Sequence, residues 1–229
     1  MPLSISNLEM LPGASTRRPI MTAAGGVVFV VDDDISVREA LEAMISNAGW
    51  DVVAFESAAA FLAYPPGLGP NCLVLDVSLP DLNGLDLQAR IAGDRIDMPI
   101  IFITGYGDVP MTVRAMKAGA AEFLTKPFDD NAMLEAVASA LDRSRDSLGE
   151  QATLRALRER YASLSRRERQ VMAMVVTGLL NKQVGGHLGI SEITVKAHRG
   201  RVMEKMKARS LAELVKISAT LGVTQTIES

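Results

Sequence analysis

The chain has 229 residues, 24 Lys and Arg against 27 Asp and Glu, a formal net charge of −3, and a single cysteine, Cys72. That length suits two small domains, each with its own core, and one cysteine excludes an intramolecular disulfide and with it a stapled, secreted fold. The near-neutral total hides an asymmetry: residues 1–142 carry −11, residues 143–163 carry +2 and residues 164–229 carry +6, so clustered cations of the kind a polyanion such as nucleic acid attracts lie at the C-terminal end.

Residues 1–24 contain Pro2, Pro12, Gly13, Arg17, Arg18 and Pro19 without the apolar block of a signal peptide, and read as a flexible N-terminal tail, with Met21 as a second candidate start. No apolar run approaches the roughly 20 residues of a membrane helix, so the expected location is cytoplasmic, with no membrane partner. From residue 25 to 142, short apolar runs alternate with amphipathic stretches. Residues 27–31, 52–54, 72–75, 100–103 and 122–124 read as strands, and 37–48, 58–63, 84–91, 109–118 and 131–143 as helices. Five strand-then-helix repeats imply an α/β domain with a parallel sheet covered on both faces and right-handed crossovers. Cys72 falls in an apolar run and reads as a small core residue.

Parallel sheets of this kind build ligand sites at the carboxyl ends of their strands. Those ends carry Asp32, Asp33 and Asp34, then Asp76, then Thr104, then Lys126 followed by Pro127. Crowded carboxylates repel unless a cation shares them, and Mg²⁺, a hard ion with oxygen ligands, is the natural candidate. Asp76 is then the nucleophile toward a phosphorus centre, Lys126 a fixed cation on the transferred group and Thr104 a hydroxyl that recognises it.

Residues 143–163 are charge-rich, with Leu148, Leu154, Leu157 and Tyr161 at helical spacing, and read as a helical linker with a candidate dimer contact. From 164 to 229 the pattern is all-helical, at 166–177, 181–188, 192–206 and 211–220, punctuated by Gly178, Gly189 and Gly222. Ser191 is placed to cap the third of these helices, leaving its positive end available to a phosphate.

The runs VVFVVDDD (27–34), LVLDVSLPDLNG (73–84) and IIFITGYGDVPMTVRAMKAGAAEFLTKPF (100–128) resemble receiver domains of two-component response regulators, especially of the NarL/FixJ family. The resemblance implies a flavodoxin-like (βα)5 fold of strand order 2-1-3-4-5 over residues 25–142; the receiver of the chemotaxis protein is the standard example of that order. It implies Asp76 as phospho-acceptor and Asp33, Asp76 and the Ser78 carbonyl as Mg²⁺ ligands, with Asp32 acting through a water. Thr104 and Phe123 are the implied switch pair, and Lys126 completes the site. Asp34 is expected to cap the first helix or hold a metal-bound water. Tyr106 departs from the histidine common in that loop.

The stretch LSRRERQVMAMVVTGLLNKQVGGHLGISEITVKAHRGRVMEKM (164–206) is similar to the LuxR-type helix-turn-helix. The similarity implies a small all-α DNA-binding domain over 164–229, with 181–188 as scaffold helix, 189–191 as turn and 192–206 as recognition helix. Val195, Val202 and Met206 are spaced to face the core, although Val195 also stands among the expected DNA-contacting residues. The others are Ser191, Thr194, Lys196, His198 and Arg199 toward the major groove, with Lys182 and Arg201 toward backbone phosphates. Gly185 and Gly186 interrupt a helix where larger residues are usual, so replacing both by Ala is expected to raise the melting temperature.

Together these features predict a phosphorylation-controlled transcriptional regulator, not a conventional enzyme, with a sensor histidine kinase and promoter DNA as partners. Homodimerisation on phosphorylation and contact with RNA polymerase complete the expectation. Two other readings stay open. Asp32 and Asp34 superficially fit the first motif of haloacid-dehalogenase-like phosphohydrolases, but Asp129 and Asp130 follow Lys126 without the intervening strand that family needs. The receiver could also be a constitutive scaffold for a DNA binder.

Overall fold

The computed structural model describes residues 25–67, 69–93 and 98–223. The tail at 1–24, with Met21, and the last residues, 224–229, lie outside the described residues. The chain divides into two compact units that meet between Asp142 and Arg143.

In the first unit, β1 (Val27–Val31), β2 (Asp51–Phe55), β3 (Asn71–Asp76), β4 (Ile100–Thr104) and β5 (Glu122–Thr125) alternate with α1 (Ile35–Asn47), α2 (Ala58–Leu62), α3 (Gly84–Ile91) and α4 (Val109–Lys117); α5 (Asp130–Ala162) follows β5. The strands form one parallel sheet in the order β2-β1-β3-β4-β5, the flavodoxin-like order expected. The central strands β1, β3 and β4 are buried along their whole length, which is why they read as unbroken apolar runs and not as alternating ones.

The two-residue side-chain period of a strand splits these runs between two cores. Val27, Phe29 and Val31 join Phe61, Leu73, Leu75, Leu87, Phe102 and Ala115 on the face covered by α2, α3 and α4. Val28 and Val30 join Leu41, Ile45, Cys72, Val74, Ile101, Ile103, Met133 and Val137 on the face covered by α1 and α5. Cys72 is fully buried, and burial pushes its thiol far above the ordinary range, which suits a core residue and not a reactive one. Asp34 caps α1, its carboxylate accepting from the Ser36 amide at 2.8 Å.

Where the sequence pattern reads a domain-closing helix and then a linker, the structure has a single helix, α5, of 33 residues. Nothing between 131 and 162 breaks it, because Gly149 is the sole glycine there and no proline intervenes. The second unit holds α6 (Arg166–Val175), α7 (Asn181–Leu188), α8 (Glu192–Met206) and α9 (Leu211–Thr220). Its core has two parts: Leu164, Met172, Val202, Met206 and Leu214 with Tyr161 against them, and Val171, Val175, Val184 and Val195. Ser165 and Glu168 form a reciprocal capping box at the start of α6.

Candidate functional site

The carboxyl ends of β1, β3, β4 and β5 deliver the predicted groups to one rim. Asp32 follows β1, Asp76 ends β3, Thr104 ends β4 and Lys126 follows β5. Parallel pairing in register, Val31 beside Leu75 and Thr104 beside Thr125, brings those ends level. The Lys126 ammonium bridges the two acids, with Nζ 2.6 Å from Asp32 Oδ2 and 2.7 Å from Asp76 Oδ2. The other oxygen of each acid is held by backbone: Asp32 Oδ1 accepts from the Asp34 amide and Asp76 Oδ1 from the Ser78 amide, both at 2.9 Å.

Asp32 is fully buried, and burial lifts its carboxyl above the usual range against the pull of Lys126. Burial alone would lower Lys126, but hydrogen bonds to Asp32 and Asp76 outweigh it and hold the ammonium above its ordinary value. A buried carboxylate whose charge is penalised by desolvation, beside a second acid, is a place that favours a cation. One oxygen from each of Asp32, Asp33 and Asp76 falls within 4.8 Å of the others. This all-carboxylate donor set is the kind a hard ion such as Mg²⁺ takes.

Thr104 is fully buried, and its hydroxyl accepts from the Tyr106 amide at 3.2 Å. Its carbonyl accepts from the Lys126 amide at 2.8 Å, so Thr104 and the lysine share one backbone link. Phe123 is half-buried on β5, its ring centroid 6.3 Å from that of Phe102. Tyr106 is exposed.

Three neighbours of the rim were not legible in the spacing. Arg38 of α1 donates to the Asp32 carbonyl at 2.7 Å. Asp81, in the loop after β3, accepts from the amides of Ala58 and Ala59 and so ties that loop to the start of α2. Gly84 lies so close to β3 that a Cβ there would sit 2.7 Å from the Asp76 carbonyl oxygen.

In the second unit, α7 ends at Gly189, whose positive φ of 64° turns the chain, and Ser191 caps α8 by accepting from the Thr194 amide at 3.1 Å. Lys182, Thr194, Lys196 and Arg201 are exposed, as a DNA-facing role requires. Val195 is not: it is fully buried with Val171, Val175 and Val184, so its helical phase places it in the core and it is withdrawn from the DNA-contacting set. His198 is half-buried, with Nδ1 enclosed and without a hydrogen-bond partner. Arg199 is half-buried and donates to Asn181 Oδ1 at 3.3 Å, linking α8 to the start of α7.

The expectation for the two glycines is half corrected. Gly186 faces open space, but a Cβ on Gly185 would sit 2.7 Å from the Ile190 carbonyl oxygen. The turn packs onto that point of α7 so closely that only a hydrogen fits, so replacing both residues does not add two gains.

Residues 28–138 match the family described as response regulator receiver domain, and residues 162–218 match the LuxR family of bacterial regulatory proteins. Nodulation protein W of Bradyrhizobium diazoefficiens is 52% identical over 198 residues, covering 86% of this chain and 87% of the relative. Transcriptional regulatory protein FixJ of the same organism is 40% identical over 198 residues, covering 86% and 97%. Among solved structures, response regulator StyR superposes with a TM-score of 0.77 at 45% identity, over 86% of this chain and 99% of that one. The chain therefore belongs to the response regulators that join a receiver domain to a LuxR-type DNA-binding domain, the FixJ-like group. It is a phosphorylation-controlled transcriptional regulator, with a histidine kinase as the partner its receiver implies and DNA as the partner its C-terminal domain implies. No helix among the described residues is long and apolar enough to cross a membrane.

Proposed function

We propose that Asp76 is the residue that takes the phosphoryl group, within a receiver spanning residues 25–142, joined by a linker at 143–163 to a DNA-binding domain at 164–229. The observation that carries this is the Lys126 ammonium shared between Asp32 and Asp76 at the strand ends. An oxygen of the Asp76 carboxylate attacks phosphorus, the bond from phosphorus to the kinase imidazole nitrogen breaks, and an acyl phosphate forms. Lys126 stays beside the transferred group and offsets its charge.

Asp33, Asp76 and the Ser78 carbonyl would hold Mg²⁺, with Asp32 acting through a water; the ion supplies neutralisation of charge on the phosphoryl oxygens. The phosphoryl group brings roughly −1.5 to −2 charges and three acceptor oxygens. Thr104, whose hydroxyl accepts from the Tyr106 amide, would turn its hydroxyl hydrogen to one of them, and Phe123, half-buried on β5, would change its packing in response. Water attack on the acyl phosphate slowly resets the site, and a small acyl phosphate donor can replace the kinase.

Phosphorylation favours a homodimer, a reading supported by the exposed Tyr106, Val109, Val113 and Met116 on α4 and the loop that leads into it. Paired DNA-binding domains then grip promoter DNA through Ser191, Thr194, Lys196, His198 and Arg199, with Lys182 and Arg201 on flanking phosphates, and can contact RNA polymerase. The protein works in the cytoplasm.

Incubation with acetyl phosphate and Mg²⁺, read by phosphate-affinity electrophoresis, is expected to give one stoichiometric label that Asp76→Asn abolishes. Label surviving that substitution overturns the assignment. Rapid turnover of a small phosphomonoester would favour the hydrolase reading, and operator affinity that ignores the donor would favour a constitutive scaffold.

A further inference from the structure

Among the described residues of the second unit, the most exposed large apolar side chain is Ile193, in the first turn of α8, at 82%, with Leu180 next at 69%. At about 100° per residue, Ile193, Ala197 and Gly200 lie within about 60° of one another and close to opposite the buried Val195 and Val202. All three are exposed. A Cβ on Gly200 would meet nothing within 4 Å and the residue has no positive φ, so neither packing nor backbone conformation calls for glycine there. Lys196 and Arg201 flank the strip, both exposed. One turn beyond Gly200 comes the exposed Glu204, which would repel phosphate and ends the strip.

Arg199, by contrast, is half-buried and spends a guanidinium hydrogen on Asn181. That bond ties it to the start of α7, and the exposed strip adds base reading to the DNA contacts already proposed. The surface is therefore an apolar head, a shallow middle and cationic edges. In the major groove the complementary features are a thymine methyl, closely approached base edges and phosphates, and the N-terminal turns of a recognition helix are the part that reaches bases.

We infer that Ile193 is a specificity-determining residue that reads a thymine 5-methyl group in each half-site, with Gly200 letting the helix backbone come close to the bases. This rests on the DNA-binding reading above.

The test uses the full chain, treated with acetyl phosphate and Mg²⁺, to enrich sites from a random duplex library, alongside Ile193→Ala and Lys196→Ala. The most enriched duplex is then remade with single dT to dU changes, which delete only the methyl. For the unsubstituted chain, one dU per half-site is expected to weaken binding about fivefold, as burial of a methyl group allows. Ile193→Ala should show no loss at that position and should enrich sites lacking the thymine preference there. Lys196→Ala, by comparison, should weaken binding to all duplexes while keeping the thymine preference. Because Ile193 touches no core, circular dichroism should show an unchanged fold. An enriched site whose thymines all tolerate dU, or an equal dU penalty in Ile193→Ala, overturns the inference while leaving DNA binding intact. A chain that enriches no sequence overturns the DNA-binding reading and the inference with it.

Discussion

Gly185 and Gly186 are adjacent, chemically identical and in one helix, yet their alanine variants should move stability in opposite directions. At Gly186 the added methyl meets open space, and the gain is the ordinary helix preference of Ala over Gly, about 0.5–1 kcal/mol. At Gly185 the methyl would sit 2.7 Å from the Ile190 carbonyl oxygen, and reaching ordinary contact means a retreat of about 0.7 Å. That carbonyl belongs to a turn already fastened to α7, since the Ile190 amide donates to the Gly185 carbonyl at 3.1 Å. Overpacking of this sort costs about 1–3 kcal/mol, so after the propensity gain Gly185→Ala should lose about 1 kcal/mol. In a domain of this size such a change moves the melting temperature by about 4–8 °C. Amide hydrogen exchange of α7 and α8 in the full chain reads this unit separately from the receiver. Protection should rise in Gly186→Ala and fall in Gly185→Ala, with the double variant near neutral. Equal stabilisation by both single changes would refute the packing argument.

Lys126→Ala leaves Asp32 and Asp76 without their shared cation and should cost about 3 kcal/mol; Mg²⁺ should restore more of the melting temperature in this variant than it adds to the unsubstituted chain, and equal Mg²⁺ responses would count against a shared cation site. Glu168, held by Lys205 at 2.7 Å and by the Ser165 amide, has its carboxyl lowered from 4.5 to about 2. Because the folded value lies below the ordinary one, this stabilisation is complete above pH 4.5 and is lost as the pH falls toward 2. Acid unfolding of the C-terminal unit followed by circular dichroism should be shallower over that interval in Glu168→Gln, and an identical profile would dismiss the pair as a stabiliser. Asp81→Ala frees two amides at the start of α2 and should cost about 1 kcal/mol, measurable as a lower urea midpoint with an unchanged slope.

Period-based features were legible in the chain itself. Strand runs such as VVFVV and IIFIT, the acids and hydroxyl at their ends, and the Ser191 cap all lie within a few residues of the elements they serve. Local backbone geometry alone places them. Errors arose where the answer depends on what another element brings. Val195 fits both a core phase and a DNA phase until Val171, Val175 and Val184 close over it. Gly185 looks like a helix defect until the turn carbonyl arrives above it. The stretch after residue 142 is helical as its spacing suggests, and α5 runs through it without a break.

The amino-acid order thus determined the strand-helix alternation, the parallel sheet and the set of groups at its rim, since side-chain period and strand polarity are properties of a single segment. Only the tertiary structure decided that Lys126 reaches both Asp32, 94 residues away, and Asp76, 50 residues away, that Asp81 caps a helix of another segment, and that Arg199 turns to Asn181 while Ile193 faces outward. Those outcomes are set by ångström-scale separations between elements that no periodicity encodes.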